Sequence, residues 1–315
     1  MALIDLLYIL HERTYRVNFT NEKWNAVWIL GNICAKSLAF IIRIFIPFIR
    51  IPRAPLLQGN NIIVSIASYP QRFPFLRYTL VSILRQSLRP EKIIVNLTKE
   101  ECPNLDSDLP LYLRGLEKFG VEYVFLEDNL RPHKKYIYTL HTYVNKLIVT
   151  VDDDVFYPNN IIKKLFDLHK KNPTCVCANR VRRIILDEDG NYMPYSTWPL
   201  NNSNVKGDDY LAIGVGGVLY PAYLFKDSDV FNRDKIRLLS LNADDLWLKA
   251  HEILLGIPVV TGNFEVFNVD VSADYKKVGT LSASNVKEGK NDIQWKNLDK
   301  EYSLRTKIFG DKMFF

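Results

Sequence analysis

The stretch Leu147-Ile-Val-Thr-Val-Asp152-Asp153-Asp154-Val-Phe-Tyr-Pro158 joins a short β-branched run to three consecutive carboxylates and a closing proline. An apolar run of this length, bounded by turn residues, is typical of an interior strand of a parallel sheet. Such sheets bind ligands at the carboxyl ends of their strands, which is where Asp152, Asp153 and Asp154 stand. The stretch therefore predicts a parallel α/β sheet with an acidic site at one edge.

Three adjacent aspartates repel one another, and a bound cation would relieve that repulsion. Mg²⁺ commonly binds one or two carboxylates together with substrate phosphates, so the motif favours a metal-assisted phosphate site. In an extended segment Asp152 and Asp154 point to the same side, and Asp153 points to the opposite side. The residues alone leave a second interpretation open, a solvated acidic turn that caps a helix beginning near Asn159.

The 315 residues are 48% hydrophobic, which is enough for one large or two small cores. The formal net charge of +6 is concentrated in residues 1–56, which hold seven Lys or Arg against three Asp or Glu. The nearly neutral remainder argues against nucleic acid as a partner. A basic and apolar N-terminal segment instead indicates an anionic membrane surface.

The cysteines form no CxxC pair, and no set of histidines accompanies them as in a zinc site; they are Cys34, Cys102, Cys175 and Cys177. Buried free thiols in a reducing cytosol are the interpretation that this pattern favours. The start of the chain lacks the basic region and the small-residue cleavage site of a signal peptide. We therefore expect a cytoplasmic protein.

Residues 24–51 are strongly apolar, but charged residues and Pro47 leave no uncharged run of the ~18 residues that a spanning helix needs. On a helical wheel Asn25, Asn32, Lys36 and Arg43 form a narrow polar stripe. This pattern predicts an amphipathic helix that lies in a membrane interface, here on the inner face of the cell membrane. A helix that packs on the body or on a second subunit of a homo-oligomer is the open alternative.

Strands and helices alternate from residue 61 onward. The predicted strands are 61–67, 92–97, 121–126, 147–151 and a segment near Cys175, and the predicted helices are 75–86, 111–119, 134–143 and 159–169. Repeated β-α alternation predicts an open, mostly parallel sheet flanked by helices.

Two later segments carry further candidate residues. The run Gly214-Val-Gly216-Gly217 matches neither a dinucleotide nor a P-loop motif, and its glycines indicate a close approach of a ligand to the backbone. Asp244 and Asp245 open a helix for which Asn242 is the expected N-cap and Gly256 the end. For both aspartates the alternative role is a favourable interaction with the helix dipole.

Five motifs in this order resemble the nucleotide-sugar glycosyltransferases of the GT-A fold, over roughly residues 60–270. They look most like the bacterial family 2-type enzymes that build surface polysaccharides, with some likeness to exostosin-type transferases around the three aspartates. The motifs are Ser65-Ile-Ala-Ser-Tyr-Pro70-Gln-Arg72, Arg131-Pro-His-Lys-Lys135, the Asp152–Asp154 stretch, Gly216-Gly217-Val-Leu-Tyr-Pro221 and Asp244-Asp245-Leu-Trp247.

The resemblance implies a GT-A sheet, a nucleotide-sugar donor, with a UDP-sugar favoured, and Mn²⁺ or Mg²⁺ held chiefly by Asp154 and also by Asp152. It implies a glycan or lipid-linked acceptor, and Asp245 as the catalytic acid of the family, with Asp244 as the neighbour that could replace it. The other residues that it implies in nucleotide-sugar binding are Ala67, Ser68, Tyr69, Arg72, Asn96, Lys135, Asp152, Asp153, Gly216 and Gly217.

In chemical terms, a metal offsets the charge that develops on the leaving diphosphate, and a carboxylate deprotonates the acceptor hydroxyl for in-line attack at the anomeric carbon. Such a single displacement inverts the anomeric centre. One departure from the family is that no histidine follows His251 to complete a metal shell. A retaining exostosin-like transferase, a nucleotidyltransferase and a non-catalytic membrane-associated scaffold are the alternatives.

The expected organisation has three parts. Residues 1–56 form the amphipathic segment and a proline-containing linker, and residues 272–315 form a C-terminal tail or lid. Between them, residues 57–271 form the glycosyltransferase domain, divided into a nucleotide-binding half, 57–155, and an acceptor half, 156–271.

Overall fold

A computed structural model describes residues 6–7, 9–11, 13–14, 26–45, 49, 51, 59–201, 204–262, 269–270 and 289–310 of the chain. The predicted polar-stripe residue Asn25, the side chain of Arg43 and most of the linker lie outside them.

The centre of the molecule is an eight-stranded sheet with the strand order β3-β2-β1-β4-β11-β6-β12-β9. Its strands are β1 (Ile62–Ala67), β2 (Lys92–Thr98), β3 (Val121–Leu126), β4 (Leu147–Val151), β6 (Val176–Ala178), β9 (Val205–Gly207), β11 (Val218–Pro221) and β12 (Val259–Thr261). Strands β3, β2, β1 and β4 are parallel neighbours, and β12 is parallel to β6. Strand β11 runs antiparallel between β4 and β6, and β9 is antiparallel to β12.

Five small strands form two further sheets. Strands β7 (Val181–Arg183), β8 (Leu200–Asn201) and β10 (Tyr210–Ala212) make a three-stranded antiparallel sheet. Strand β5 (Val155–Phe156), which directly follows the acidic stretch, pairs with β13 (Val269–Asp270). The acidic stretch is thus flanked by strands on both sides.

The helices are α1 (Ala26–Phe45), α2 (Phe73–Leu84), α3 (Leu111–Arg114), α4 (Lys134–Thr142), α5 (Ile161–Lys171), α6 (Arg233–Leu239), α7 (Asp244–Leu254), α8 (Lys290–Tyr302) and α9 (Leu304–Phe309). The predicted helix 111–119 is shorter than expected, because α3 ends at Arg114 and a separate turn ends at Gly120 with φ +94°. The predicted N-cap of α7 was wrong as well. Ala243 occupies that position, and no side chain caps the helix there.

Two apolar cores cover the two faces of the sheet, so successive residues of β1 enter different cores. Ile62, Val64 and Ile66 belong to the core that also contains α2 and α5. Ile63 belongs to the opposite core, with residues of α4 and α7. A strand buried on both faces has no polar alternation, which is why the sequence shows continuous apolar runs. The predicted open, mostly parallel α/β sheet flanked by helices is confirmed.

Helix α1 touches the body along one side only. Ala35 and Ile42 are buried, and Ile42 packs with Phe156 of β5 and Tyr78 of α2. Cys34 lies on the exposed side, so the expectation of buried thiols was wrong for this residue, whereas Cys102, Cys175 and Cys177 are buried and free. Among the helices described, none has the length and apolar character that crossing a membrane requires.

The described part of the predicted C-terminal tail or lid consists of α8 and α9, and both helices contribute to a core. Trp295, Leu298 and Leu304 are at most 2% exposed, in the same core as Trp247 and Ala250 of α7. Trp295 also makes edge-on contacts with Tyr192 and Trp198. These helices therefore complete the support of α7.

We expect Trp295→Ala to lower the free energy of unfolding by about 3–5 kcal/mol, because it leaves a large cavity under α7. Ile293→Ala on the same helix is the matched control, since Ile293 is 58% exposed and should change stability by less than about 0.5 kcal/mol. Urea titration of both variants measures this. Equal, small losses would show that α8 is not part of the cooperative core.

Candidate functional site

The acidic stretch leaves the sheet beside the end of β1. Ile66 is paired in register with Val151, so Ser68 and Asp153 emerge from adjacent parallel strands. Ser68 Oγ donates a hydrogen bond of 2.6 Å to Asp153 Oδ2, and both residues are buried. The serine after β1 thus fixes the middle aspartate.

The chain turns directly after Asp152, so the expected alternation of the three side chains was wrong. Arg72 Nη1 forms an ion pair with Asp154 Oδ2 and lies 3.8 Å from Asp153 Oδ1. Asp153 and Asp154 therefore share one cation. Burial raises the pKa of Asp153 to about 7, against the opposing effect of Arg72. Burial by itself would lower the pKa of Arg72, but Asp153 and Asp154 outweigh it and raise that pKa.

Asp152 has a different partner. Lys135 Nζ donates to Asp152 Oδ1 over 2.6 Å and lies 3.4 Å from Asp244 Oδ2. Burial by itself would lower the pKa of Lys135, but the surrounding aspartates raise it well above its usual value. Lys135 therefore stays a cation that joins the acidic stretch to the start of α7.

The position of Lys135 is set by β1. Ser65 Oγ donates to the carbonyl oxygen of Lys135 over 2.5 Å, and Thr139 Oγ1 donates to Ser65 Oγ over 3.1 Å. Ser65, Thr139 and the Lys135 side chain are buried or nearly so. The first turn of α4 is thereby attached to the central sheet.

Asp245 lies beside this lysine and accepts a hydrogen bond of 3.1 Å from the backbone N–H of Gly214. Burial, together with the neighbouring charge of Asp244, raises the pKa of Asp245 to about 8. A methyl group on Gly214 would stand 3.1 Å from Asp245 Oδ1 and 3.3 Å from Lys135 Nζ. Only glycine fits there without movement of these groups. Gly214 was not predicted as a site residue, although it belongs to the glycine run 214–217.

Three of the predicted site residues, Asn96, Gly216 and Gly217, are packed against other protein groups. Asn96 is fully buried, and its amide donates to Ser65 Oγ and to the Ile66 carbonyl. A Cβ on Gly216 would collide with Arg180, and one on Gly217, whose φ is +81°, would collide with Ile161. The structure brings the remaining predicted polar residues together: Ser68, Arg72, Lys135, Asp152, Asp153, Asp154, Asp244 and Asp245. Tyr69 joins them through a 3.3 Å bond from Arg72 Nε to its hydroxyl, and Ala67 ends β1.

Tyr157 and His133 support the site and were not predicted. The buried Tyr157 hydroxyl accepts from the Asp152 N–H over 2.9 Å and donates to the Val215 carbonyl over 3.2 Å, which ties the acidic stretch to the glycine run. Tyr157 belongs to the stretch that follows the three aspartates, and its position there was the available signal in the sequence. His133 lies 2.7 Å from the Ser240 carbonyl, and burial lowers its pKa to about 4, so it is a neutral hydrogen-bonding group.

The side chains at this strand end offer carboxylate oxygens, which are the ligands that a hard divalent ion prefers. In the described residues no group of three or more His, Cys, Asp or Glu side chains converges as a complete metal shell. Asp153 and Asp154 converge on one cation, Arg72, whereas Asp152 pairs with Lys135. An ion held by one or two carboxylates plus substrate phosphates would require Asp154 to leave Arg72, and Asp152 would have to leave Lys135 to share the ion.

The sequence matches no protein-family model and no curated protein. Three solved structures show weak overall likeness. Mannosyltransferase PcManGT from Pyrobaculum calidifontis, in complex with GDP-Man and Mn²⁺, has a TM-score of 0.45 and 9% identity. The match covers 95% of this chain and 85% of the mannosyltransferase chain. S. aureus TarS 1–349 in complex with UDP has a TM-score of 0.45 and 15% identity, covering 77% and 72%. UTP-bound UGPase from Acinetobacter baumannii has a TM-score of 0.40 and 11% identity, covering 76% and 98%. At these values the likenesses carry no functional argument.

The raised pKa of Asp245 predicts a pH-dependent cost in stability. The folded chain retains a proton that the unfolded chain loses near its usual pKa of 3.8, so stability falls as pH rises from about 4 to about 8. Asparagine carries no such proton. We therefore expect Asp245→Asn to raise the midpoint of thermal unfolding, and to raise it more at pH 8 than at pH 5.

Asp128→Asn is the control, because the pKa of Asp128 is shifted in the opposite direction to that of Asp245. Hydrogen bonds from Arg237 and Arg233 lower the pKa of Asp128, so its removal should bring no gain at pH 8. Thermal melts of both variants at the two pH values test the expectation. A gain from Asp245→Asn that is the same at both pH values would contradict it.

Proposed function

We propose that the chain is a glycosyltransferase that moves a sugar from a nucleotide-sugar donor, a UDP-sugar by preference, to a glycan or lipid-linked acceptor in surface polysaccharide synthesis. The observation that carries this proposal is the position of Lys135, which contacts Asp152 on one side and Asp244 on the other. It brings an acidic strand end and a half-buried acid on α7 to the two sides of one cation. Sugar transfer needs such a pair, a phosphate-binding edge and a nearby base.

On the donor side, Arg72 and Lys135 are the cations that would face the diphosphate. Arg guanidinium groups bind phosphate oxygens through two parallel hydrogen bonds, and Lys binds them as a point charge. A divalent ion held by Asp154, with Asp152 as the second proposed ligand, would neutralise charge on the leaving diphosphate. The proposed binding residues Ala67, Ser68, Tyr69 and Asp153 lie at the same strand ends.

On the acceptor side, Asp245 is the proposed base, and its raised pKa supports that role. A general base works best when its pKa lies near the working pH, and that of Asp245 is about 8. Asp244 is the less suitable neighbour because its carboxylate is already paired with Lys135. The acceptor hydroxyl gives its proton to Asp245 as its oxygen attacks the anomeric carbon. The bond from that carbon to the diphosphate breaks, and its electron pair leaves with the diphosphate.

The test is the product released from UDP-sugars and from GDP-mannose, with Mn²⁺ present. We expect nucleoside diphosphate, and we expect Asp245→Asn to lower kcat by about 10²–10⁴ while calorimetry shows unchanged affinity for UDP. Asp234→Asn, at a side chain that is 97% exposed, is the matched control and should retain full activity.

Two further readouts belong to the same experiment. Because Asp245 must be deprotonated to act, kcat should rise with pH through about 8. A single displacement should convert an α-linked donor into a β-linked product. Near-normal kcat in Asp245→Asn, or a retained anomer by NMR, would remove Asp245 from the mechanism. Pyrophosphate as the product of UTP and a sugar phosphate would favour a nucleotidyltransferase.

The proposed location is the inner face of the cell membrane, with α1 as the contact. The side of α1 that faces away from the body exposes Val27, Leu30, Ile33, Phe40 and Ile44, each by half or more. Lys36 is exposed beside them, and the segment has an excess of basic residues. An apolar face bordered by cations fits an anionic lipid surface. Since α1 packs on Phe156, this surface would lie close to Asp154.

We expect the triple substitution Leu30→Glu, Ile33→Glu and Phe40→Glu to abolish sedimentation with phosphatidylglycerol vesicles, because it places carboxylates on the lipid-facing side. Leu238→Glu, at a residue of α6 that is 77% exposed, is the control and should leave sedimentation unchanged. Vesicle binding that survives the triple substitution would contradict the membrane contact. A change of oligomeric state without a change in vesicle binding would identify a second subunit as the partner of α1.

A further inference from the structure

Arg180 directly precedes strand β7, Arg182 is the middle residue of that strand, and both lie beside the glycine run. The Arg180 carbonyl accepts a 3.0 Å hydrogen bond from the Ile213 N–H, and Arg182 is paired in register with Leu211. Val181 between them is fully buried in the core. By the alternation of a strand, Arg182 therefore lies on the face opposite Val181. Arg180 is bonded through its carbonyl to Ile213, the residue before Gly214.

The Arg182 guanidinium is held in place by neutral groups. Its Nη1 donates to the Trp198 carbonyl over 2.6 Å, and its Cζ stands 5.3 Å from the centre of the Tyr195 ring. Within the part of the chain that the structure describes, no carboxylate forms an ion pair with Arg182. The neighbouring Arg183 differs, since its Nε donates to Asp209 over 2.7 Å. A half-buried and oriented guanidinium without a paired anion is well prepared to receive one.

Tyr195 links this surface to the proposed base. Burial raises the pKa of Tyr195 to about 12, the charge of Asp245 adds to the rise, and Arg182 and Arg180 oppose it. One buried phenol therefore lies within electrostatic range of both arginines and of Asp245. The backbone links this surface to Asp245, because the Ile213 N–H donates to the Arg180 carbonyl over 3.0 Å and the next N–H along the chain, that of Gly214, donates to Asp245 over 3.1 Å.

We infer that Arg180 and Arg182, with Tyr195 beside them, form a subsite for an anionic group on the acceptor, a carboxylate or a phosphate close to the hydroxyl that reacts. The assignment to the acceptor rests on the proposed function, in which Asp245, linked to this surface through Gly214 and Ile213, is the base for the acceptor hydroxyl. The donor diphosphate has its own cations, Arg72 and Lys135. An acidic glycan or a phosphate-bearing acceptor is the class of substrate that this arrangement recognises.

The test measures the binding of glucuronate, glucose 6-phosphate and neutral glucose to the full chain by ligand-observed NMR, with UDP present to fill the donor side. We expect both anions to bind and glucose not to bind. The anion that binds with the higher affinity identifies the acidic group of the acceptor as a carboxylate or a phosphate. Arg182→Gln should weaken the binding of that anion by about tenfold or more, the loss expected for a charge-assisted hydrogen-bonding group.

Arg183→Gln is the matched control, because Arg183 neighbours Arg182 on the opposite face and is paired with Asp209. It should leave anion binding unchanged. Arg180→Gln provides a second variant with a different set of contacts, in case Arg182→Gln fails to fold, and thermal melts identify such a failure. Glucose binding equal to that of the anions, or equal losses in Arg182→Gln and Arg183→Gln, would overturn the subsite.

The outcomes also separate this inference from the proposed function. A loss of UDP affinity in Arg182→Gln would place the arginines on the donor side and overturn the acceptor subsite. Anion binding that depends on Arg182, found in a chain that releases no nucleoside diphosphate from any donor, would support the subsite and contradict the glycosyltransferase proposal.

Discussion

The ion pairs of Lys135 are the interaction on which the site depends. Lys135 is nearly buried, and burial of an ammonium group is costly unless carboxylates surround it. Asp152 comes from the end of β4 and Asp244 from the start of α7, so segments more than ninety residues apart meet at one charge. The lysine itself is held through its backbone by Ser65 of β1. The parallel register of β1 and β4 therefore places Ser65, and with it the backbone of Lys135, next to the strand whose end carries Asp152.

The same interaction explains why the site is held by so much structure. Five aspartates share Arg72 and Lys135, and burial together with the neighbouring aspartates raises the pKa values of Asp153 and Asp245 against the opposing effect of these two cations. Such a cluster persists only where packing opposes its separation. Tyr157 fastens the acidic stretch to the glycine run, and α8 closes the core behind α7. The helices at the C-terminus thus serve the site from a distance.

The sequence predicted the sheet well, because strands buried on both faces appear as apolar runs and their carboxyl ends carry the acids. The prediction failed where the local sequence pattern and the tertiary contacts favour different conformations. An extended Asp152–Asp154 segment was a reasonable expectation, but the turn that follows Asp152 lets Ser68 and Arg72 hold Asp153 and Asp154 together. Gly214 carries no chemical group, so only the closeness of Asp245 and Lys135 reveals its role. The contribution of α8 was hidden because its polar composition resembles that of a tail.

The glycine run also limits how such a site can diverge. Gly214 has no space for a methyl group between Asp245 and Lys135, Gly216 has none beside Arg180, and Gly217 combines a positive φ with contact to Ile161. A substitution at these positions would disturb Asp245, Lys135 or the local backbone. The side chains of Arg180 and Arg182 carry no such restriction, since they border the site without supporting its charges. Under the proposed function, a new acceptor preference would therefore evolve through positions 180 and 182, with the chemistry left intact.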